Sequence, residues 1–138
     1  MAKAILISFI SLVLQSCSFT DEPFGLFSTS VQGIFSAAYS ADGNHVLAGS
    51  IQHGGSLWDV KNAERLFNWN HQATLSSQIT AVAFSPEGDF ALTCDGSTLV
   101  LWDVASGEAL RFFDVPSDVL HVALSPSART ALLGLANG

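Results

Sequence analysis

A repeat of 40 to 45 residues is the feature that most restricts what this chain can fold into. Residues 36–43 align with residues 81–88 at an offset of 45, and both segments run from small apolar residues into a turn that ends in Gly. The tetrapeptide LWDV occurs at residues 57–60 and again at residues 101–104, an offset of 44. A third copy of the first segment begins at Val122, 40 residues after its counterpart in the second. Self-similarity at such a period indicates an array of like units that stack on one another.

Each repeat has the pattern of four short strands separated by turns. In the second repeat, apolar or alternating runs cover residues 79–84, 90–94, 98–102 and 108–113. Pro and Gly suit the turn after the first run, and Asp-Gly after the second run is a hairpin signal. Four short strands and four turns within about 40 residues predict a four-stranded antiparallel sheet. Because no long helical pattern follows residue 17, we predict an all-β fold.

The Trp-Asp dipeptides and the period resemble those of the WD40 family, over roughly residues 34–138. The resemblance implies four-stranded β-propeller blades, with repeat 1 at residues 34–78, repeat 2 at residues 79–118 and a partial repeat 3 at residues 119–138. It also implies that the Trp of each repeat ends the third strand and packs between blades. The structural repeat-motif residues are then Trp58, Asp59, Trp102 and Asp103.

The repeats depart from the family pattern at one hydrogen-bond network. In the family, a His before the first strand bonds to an Asp in the turn before the third strand. Here the pair Asn70-His71 stands about four residues early, and Asp95 lies one position away from the family's Asp. We therefore expect this network to be incomplete and each blade to be less rigid than a consensus blade.

The N-terminus has the pattern of an export signal. Lys3 precedes an apolar run over residues 4–14, which is shorter than the roughly 20 helical residues that span a bilayer. A basic residue followed by such a run is typical of a secretory signal peptide. We predict a signal-peptide helix within residues 1–16.

Residues 14–17 (LQSC) resemble the lipobox of bacterial lipoprotein precursors. The resemblance implies cleavage before Cys17, acyl chains such as palmitate on that residue, and a tether over residues 17–33 that joins the membrane to the repeats. Two or three acyl chains hold a protein stably on a membrane. Ser18 then favours an outer-membrane lipoprotein facing the periplasm over retention in the inner membrane. A plain signal peptide with a chance Cys is the alternative.

The charge and the functional groups exclude several kinds of partner. With 12 acidic and 5 basic residues the chain has a net charge of −7, the wrong sign for binding a phosphate backbone, so we expect no nucleic acid. Its four histidines have no metal-ligand spacing, and no phosphate-binding or nucleophile motif is present, so we predict no metal, cofactor or catalytic residue. Cys94 lies in an apolar run and is expected to be a buried structural residue.

Candidate partner contacts lie in residues 67–72 of repeat 1, which precede a longer connection than the one after Phe113 in repeat 2. They are Trp69, His71 and Gln72. The alternative for Trp69 is that it aligns with Phe113 and packs in the fourth strand.

Two and a half repeats are fewer than the four to eight blades of a closed propeller. We expect the chain to be a piece of a longer propeller or a truncated gene product, with self-assembly of several copies as the alternative. The favoured function is a membrane-anchored, non-enzymatic protein-interaction scaffold at the cell envelope. The alternative is part of a periplasmic propeller enzyme, of hydrolase or lactonase type, whose active-site residues lie in other blades.

Overall fold

The computed structural model describes residues 33–71 and 77–138, which form ten β-strands. The predicted signal peptide, Cys17, the tether as far as residue 32, and Gln72 lie outside the described residues. The strands, in chain order, are β1 (Ile34–Tyr39), β2 (His45–Ser50), β3 (Gly55–Asp59), β4 (Glu64–Trp69), β5 (Ile79–Phe84), β6 (Phe90–Asp95), β7 (Thr98–Asp103), β8 (Ala109–Asp114), β9 (Val119–Leu124) and β10 (Ala131–Leu135).

Strand order within each sheet follows the order along the chain. β1 to β4 form one four-stranded sheet, β5 to β8 form a second, and β9 and β10 form a two-stranded third; we name these blade 1, blade 2 and half-blade 3. All paired strands are antiparallel. The predicted all-β fold of four-stranded antiparallel blades in an incomplete propeller is therefore confirmed.

Tight turns between the first two strands of each blade are closed by side-chain hydrogen bonds. In blade 1, Ser40 Oγ donates to Asp42 Oδ1 at 2.6 Å, and the backbone N–H of Asn44 donates to the same oxygen at 3.0 Å. These hydrogen bonds lower the pKa of Asp42 to about 2, because they stabilise its charged form. In blade 2, Ser85 Oγ accepts a hydrogen bond from the backbone N–H of Phe90 at 3.1 Å.

The main core lies between blade 1 and blade 2. Side chains on a strand alternate between the two faces of its sheet, and the paired residues Leu47 and Leu57 both point toward blade 2. β5, the first strand of blade 2, packs against β1 and β2. The buried members of this cluster are Leu47, Leu57, Trp69, Ile79, Val82, Ala91, Val100, Trp102 and Val104.

A second core lies between blade 2 and half-blade 3. Its buried residues come from the opposite face of blade 2 and from the start of β9, and they are Ala81, Leu92, Cys94, Leu99, Leu101 and Val119. Blade 2 is therefore covered on both faces, as the nearly continuous apolar runs of β5 to β7 predict.

Close approach of β2 in blade 1 to β5 in blade 2 requires a residue without a side chain at Gly49. A Cβ placed there would lie 2.6 Å from Ile79 Cγ2 and 2.9 Å from the Ile79 carbonyl oxygen. β2 and β5 can therefore approach only because this position is Gly.

The described residues include no helix that is both long enough and apolar enough to span a membrane.

Candidate functional site

The Trp of the second Trp-Asp dipeptide is buried between the blades and fully hydrogen bonded. Trp102 lies in β7, where its ring faces blade 1. Its indole N–H donates to Thr93 Oγ1 at 2.8 Å, and Thr93 is itself fully buried. A buried indole N–H requires such a partner, so the Thr hydroxyl stabilises this position of the ring.

Thr93 also joins His71, from the connection after blade 1, to the same network. His71 Nε2 lies 2.8 Å from Thr93 Oγ1, while Nδ1 is buried and has no hydrogen-bond partner among the described residues. Burial lowers the pKa of His71, and the negative charge of Asp95 offsets part of that effect. The imidazole is therefore held in its neutral form near neutral pH.

The position of His71 modifies the expectation that its early place in the sequence leaves it outside such a network. The connection between β4 and β5 is long enough for His71 to reach Thr93 although His71 stands about four residues early in the sequence. Here the backbone N–H of His71 donates to Ser77 Oγ at 3.1 Å, so the two ends of the connection lie side by side. The hydrogen bond to Thr93 forms, while Asp95 influences the imidazole only through its negative charge, which opposes the lowering of the His71 pKa.

Blade 1 provides the hydroxyl for its own Trp from a different strand. Trp58 Nε1 donates to Ser56 Oγ at 2.8 Å. Ser56 pairs with Ala48 across the β2–β3 hairpin, and Thr93 pairs with Val100 at the corresponding place in blade 2. The hydroxyl that accepts the indole hydrogen bond therefore lies on the third strand in blade 1 and on the second strand, at the cross-strand neighbouring position, in blade 2. The indole N–H has a hydrogen-bond partner in both blades.

The Asp of each Trp-Asp dipeptide closes the turn that follows. Asp59 Oδ1 accepts a hydrogen bond from the backbone N–H of Asn62 at 2.8 Å. Asp103 Oδ1 accepts from the backbone N–H and the hydroxyl of Ser106, at 2.8 and 2.9 Å, and these bonds lower the pKa of Asp103. In this structure the two carboxylates order the turns into β4 and β8.

The three candidate partner contacts occupy different places. Trp69 is 1% exposed and packs in the blade interface, where its ring stacks on Trp102 and its N–H donates to the Gly107 carbonyl at 3.1 Å. This is the position that the alternative interpretation predicts. His71 is half-buried in the network with Thr93, and Gln72 lies outside the described residues.

The described residues hold no group of three or more His, Cys, Asp or Glu side chains able to bind a metal ion. Cys94 is buried and free, and burial raises the pKa of its thiol to about 12. A thiol with so high a pKa carries almost no nucleophilic thiolate near neutral pH. Cys94 therefore acts as a packing residue in this structure.

Clefts open between neighbouring blades of the described residues. One, of about 630 Å³, lies between blade 1 and blade 2 at the end where the β1–β2 and β5–β6 turns meet, and it is bordered by carboxylates. Another, of about 290 Å³, lies between blade 2 and half-blade 3 and is mainly apolar. The acidic residues of the first cleft are Asp42, Glu87, Asp89 and Asp103.

The edge of blade 2 exposes a further apolar surface. All six residues of β8 are exposed, and Phe112 is the most accessible of its large apolar side chains at 62%. Exposed apolar patches of this kind are typical of contact surfaces in proteins.

The sequence argument missed Thr93 and Gly107. A Thr in the centre of an apolar strand was the available signal for Thr93, because a buried hydroxyl requires a partner. Gly107 was visible only as a turn residue. Its carbonyl receives the Trp69 N–H, and a Cβ there would lie 2.5 Å from Phe67 Cδ1.

Comparison with known proteins agrees with the repeat pattern. Residues 68–103 match the model of the family described as WD domain, G-beta repeat, abbreviated WD40. The chain is 27% identical over 143 residues to the guanine nucleotide-binding protein subunit beta of Oryza sativa subsp. indica. It is 29% identical over 96 residues to the eukaryotic translation initiation factor 3 subunit I of Candida albicans.

The alignments span only part of each relative. They cover 90% of this chain but 37% of the rice protein, and 68% of this chain but 26% of the Candida protein. The chain thus spans somewhat more than a third of the rice protein and about a quarter of the Candida protein.

Two solved structures share the fold. The β-propeller domain of Myceliophteria thermophila Cps50 (Swd1) matches with a TM-score of 0.67 at 20% identity, covering 76% of this chain and 33% of that one. Hydrazine synthase of Kuenenia stuttgartiensis matches with a TM-score of 0.64 at 19% identity, covering 86% and 33%. At these identities the likeness concerns the fold alone.

Proposed function

We propose that this chain, whose residues 68–103 match the WD40 model and whose sheets are arranged as propeller blades, is a non-enzymatic protein-interaction scaffold held at the bacterial cell envelope by lipid on Cys17. The observation that supports the scaffold most directly is the WD40 match over residues 68–103, which includes the motif strand β7 and its buried Trp102. Both of the relatives named above are subunits of larger assemblies by their names.

The hydrogen bonds of the Trp and Asp side chains in the repeat motif support a structural role for these residues. Trp58, Trp102 and the two Asp residues are engaged in hydrogen bonds that hold indoles and turns in place. Partner contact is then left to the exposed surface, and we assign it to the edge of blade 2 around Phe112.

The scaffold is tested by affinity capture from a detergent-solubilised cell envelope with the full, tagged chain. We expect a stoichiometric protein partner that is lost in the double variant Leu110→Ser, Phe112→Ser, because both side chains are exposed on β8. The matched control is Leu132→Ser, which changes an exposed Leu on half-blade 3. Stoichiometric bound metal with hydrolysis of an ester or lactone, and no partner, would instead indicate a propeller enzyme.

The lipid anchor is tested by labelling with a fatty-acid analogue. The proposal predicts that Cys17→Ala abolishes labelling, since Cys17 supplies the acylated sulfur, and that Cys94→Ala does not. Labelling that persists in Cys17→Ala refutes the anchor while leaving the scaffold untouched.

The destination of the anchored protein is tested by membrane fractionation. We propose that Ser18 directs the protein to the outer membrane, facing the periplasm. Ser18→Asp should then move it to the inner-membrane fraction, with Ser18→Ala as the control that stays.

A further inference from the structure

Half-blade 3 is an incomplete sheet beside a complete one. Blades 1 and 2 each have four strands, whereas half-blade 3 has two, and β10 pairs only with β9 among the described residues. The sequence of β10, ALLGL, contains neither a charged residue nor Pro, the residue types that often keep the edge of a sheet from pairing. The free edge of β10 is therefore able to accept another strand.

An apolar groove lies beside the place that this strand would take. It has a volume of about 290 Å³ and is bordered by the outer strands of blade 2 on one side and by half-blade 3 on the other. Phe113 of β8 faces the groove, because its pairing partner Leu99 belongs to the core between blade 2 and half-blade 3. Phe113 is 45% exposed, so part of its ring is accessible from the groove.

The preceding repeat shows what occupies the equivalent position between blade 1 and blade 2. Phe113 is the counterpart of Trp69 at an offset of 44, and Ala131 is the counterpart of Ala91 at an offset of 40. Trp102 of β7 pairs with Ala91 and stacks on Trp69, with ring centroids 5.0 Å apart. Ala131 and Phe113 both border the groove. The space between them is therefore the place that a third-strand aromatic ring takes in the complete interface.

The groove also restricts how such a ring is hydrogen bonded. Trp102 donates to Thr93, but the counterpart of Thr93 on β10 is Leu133, which has no hydroxyl. In blade 1, where the second strand likewise lacks this hydroxyl, Trp58 donates to Ser56 of its own strand. Because a buried indole N–H requires an acceptor, a Trp bound against Leu133 needs a hydroxyl two residues before it in the bound strand.

Charged groups at the two ends of the groove give the bound strand a direction. Arg111 and Arg129 lie at the end next to the β9–β10 turn, and Asp114 borders the other end. In blade 2, the acidic residue after Trp102 pairs with the first residue of β6, and the equivalent position of half-blade 3 is Thr130, next to Arg129. An acidic residue directly after the bound Trp would therefore lie beside a guanidinium, which attracts it.

We propose that this groove and the free edge of β10 bind an extended segment of a partner protein, which pairs with β10 as a third strand and places a Trp ring on Phe113. The segment has the pattern Ser-x-Trp followed by Asp or Glu. In strand addition of this kind, main-chain hydrogen bonds provide affinity and a side-chain pocket provides specificity. Phe112 lies on the opposite face of β8, so this site goes beyond the surface assigned to the scaffold and does not depend on it.

The proposal is tested by titrating the full chain with a synthetic peptide that has the sequence of residues 55–69, which contains Ser-Leu-Trp-Asp. Isothermal titration calorimetry should show one peptide bound per chain, and hydrogen exchange should become slower at residues 131–135. The matched control peptide has Ala in place of its Trp and should bind about tenfold more weakly, because it lacks the ring that stacks on Phe113. No binding, equal binding of the two peptides, or protection of other strands instead of β10 would each overturn the proposal.

Variants of the protein test where the peptide binds. Phe113→Ser should weaken binding about tenfold, whereas Leu120→Ser, which changes an exposed side chain of β9 outside the groove, should leave binding unchanged. Ala131→Trp places an indole of the protein itself in the groove and should abolish binding, and this variant decides the question if Phe113→Ser fails to fold. Binding that is unchanged in Ala131→Trp would contradict the proposed site.

A second copy of the chain is the competing occupant of the free edge. Size-exclusion chromatography with light scattering should show a monomer in the absence of peptide, with rapid hydrogen exchange along the free edge of β10. A dimer in which the amides of residues 131–135 are already protected would assign the edge to a second copy and overturn the proposal. Either failure leaves the scaffold surface around Phe112 standing, because the capture experiment tests the other face of β8.

Discussion

The rings of Trp69 and Trp102 stack across the boundary between blade 1 and blade 2, with centroids 5.0 Å apart and planes 8° apart. Trp69 comes from the last strand of one blade and Trp102 from the third strand of the next. Stacked aromatic pairs contribute beyond the area that they bury. This pair therefore joins two sheets that share no strand pairing.

Removal of one ring should weaken the association of the blades. Trp69→Ala is expected to lower the free energy of unfolding by about 3–5 kcal/mol, because it opens a cavity beside Trp102. Urea unfolding followed by circular dichroism measures the change, with Leu132→Ala, an exposed site, as the control. A loss no larger than that of the control would show that the stack does not couple the blades.

The hydroxyl of Thr93 should matter more than the shape of its side chain. Thr93→Val keeps the volume but leaves the Trp102 N–H and one His71 nitrogen without a partner, which should cost about 1–3 kcal/mol. Thr93→Ser keeps the hydroxyl and should be the milder change. Chemical denaturation compares the two variants, and equal losses would argue against the hydrogen-bond network.

His71 should make the stability of the protein depend on pH. Burial lowers its pKa below the ordinary 6.5, so at pH values below 6.5 the unfolded chain binds a proton that the folded chain resists. The contribution is complete above pH 6.5 and is lost as pH falls toward the folded-state pKa. Thermal unfolding from pH 7.5 to pH 5 should show a smaller loss for His71→Gln than for the unmodified chain.

The exposed residue His53 supplies the control for this experiment. The variant His53→Gln should keep the pH dependence of the unmodified chain. If His71→Gln and His53→Gln behave alike, the acid sensitivity has another origin.

Gly107 should be intolerant of a side chain because of contact as well as backbone geometry. Gly107 and Gly43 both have positive φ, at 75° and 72°, so Ala at either position incurs roughly 1–2 kcal/mol of backbone strain. Only at Gly107 would the new Cβ meet Phe67, since nothing lies within 4 Å of a Cβ at Gly43. Gly107→Ala should therefore have a lower midpoint of thermal unfolding than Gly43→Ala. Equal midpoints would mean that Phe67 moves aside without loss.

Local patterns in the sequence were sufficient to predict the strands of a blade. The Ser-Pro-Glu-Gly turn and the Asp-Gly hairpin separate strands whose pairing is between sequence neighbours, so short-range signals define them. The same holds for the turn after Asp103, where the carboxylate bonds to a residue three positions along the chain. The Trp-Asp dipeptides likewise predicted where each third strand ends.

The sequence by itself therefore determined the all-β blades, their turns and the buried Trp of each repeat. Tertiary structure decided which groups these Trp residues meet. Trp69 bonds to Gly107, 38 residues away, and His71 reaches Thr93, 22 residues away. Such contacts depend on how one sheet stacks on the next, and a repeat period fixes the order of the sheets without fixing the register of their facing side chains.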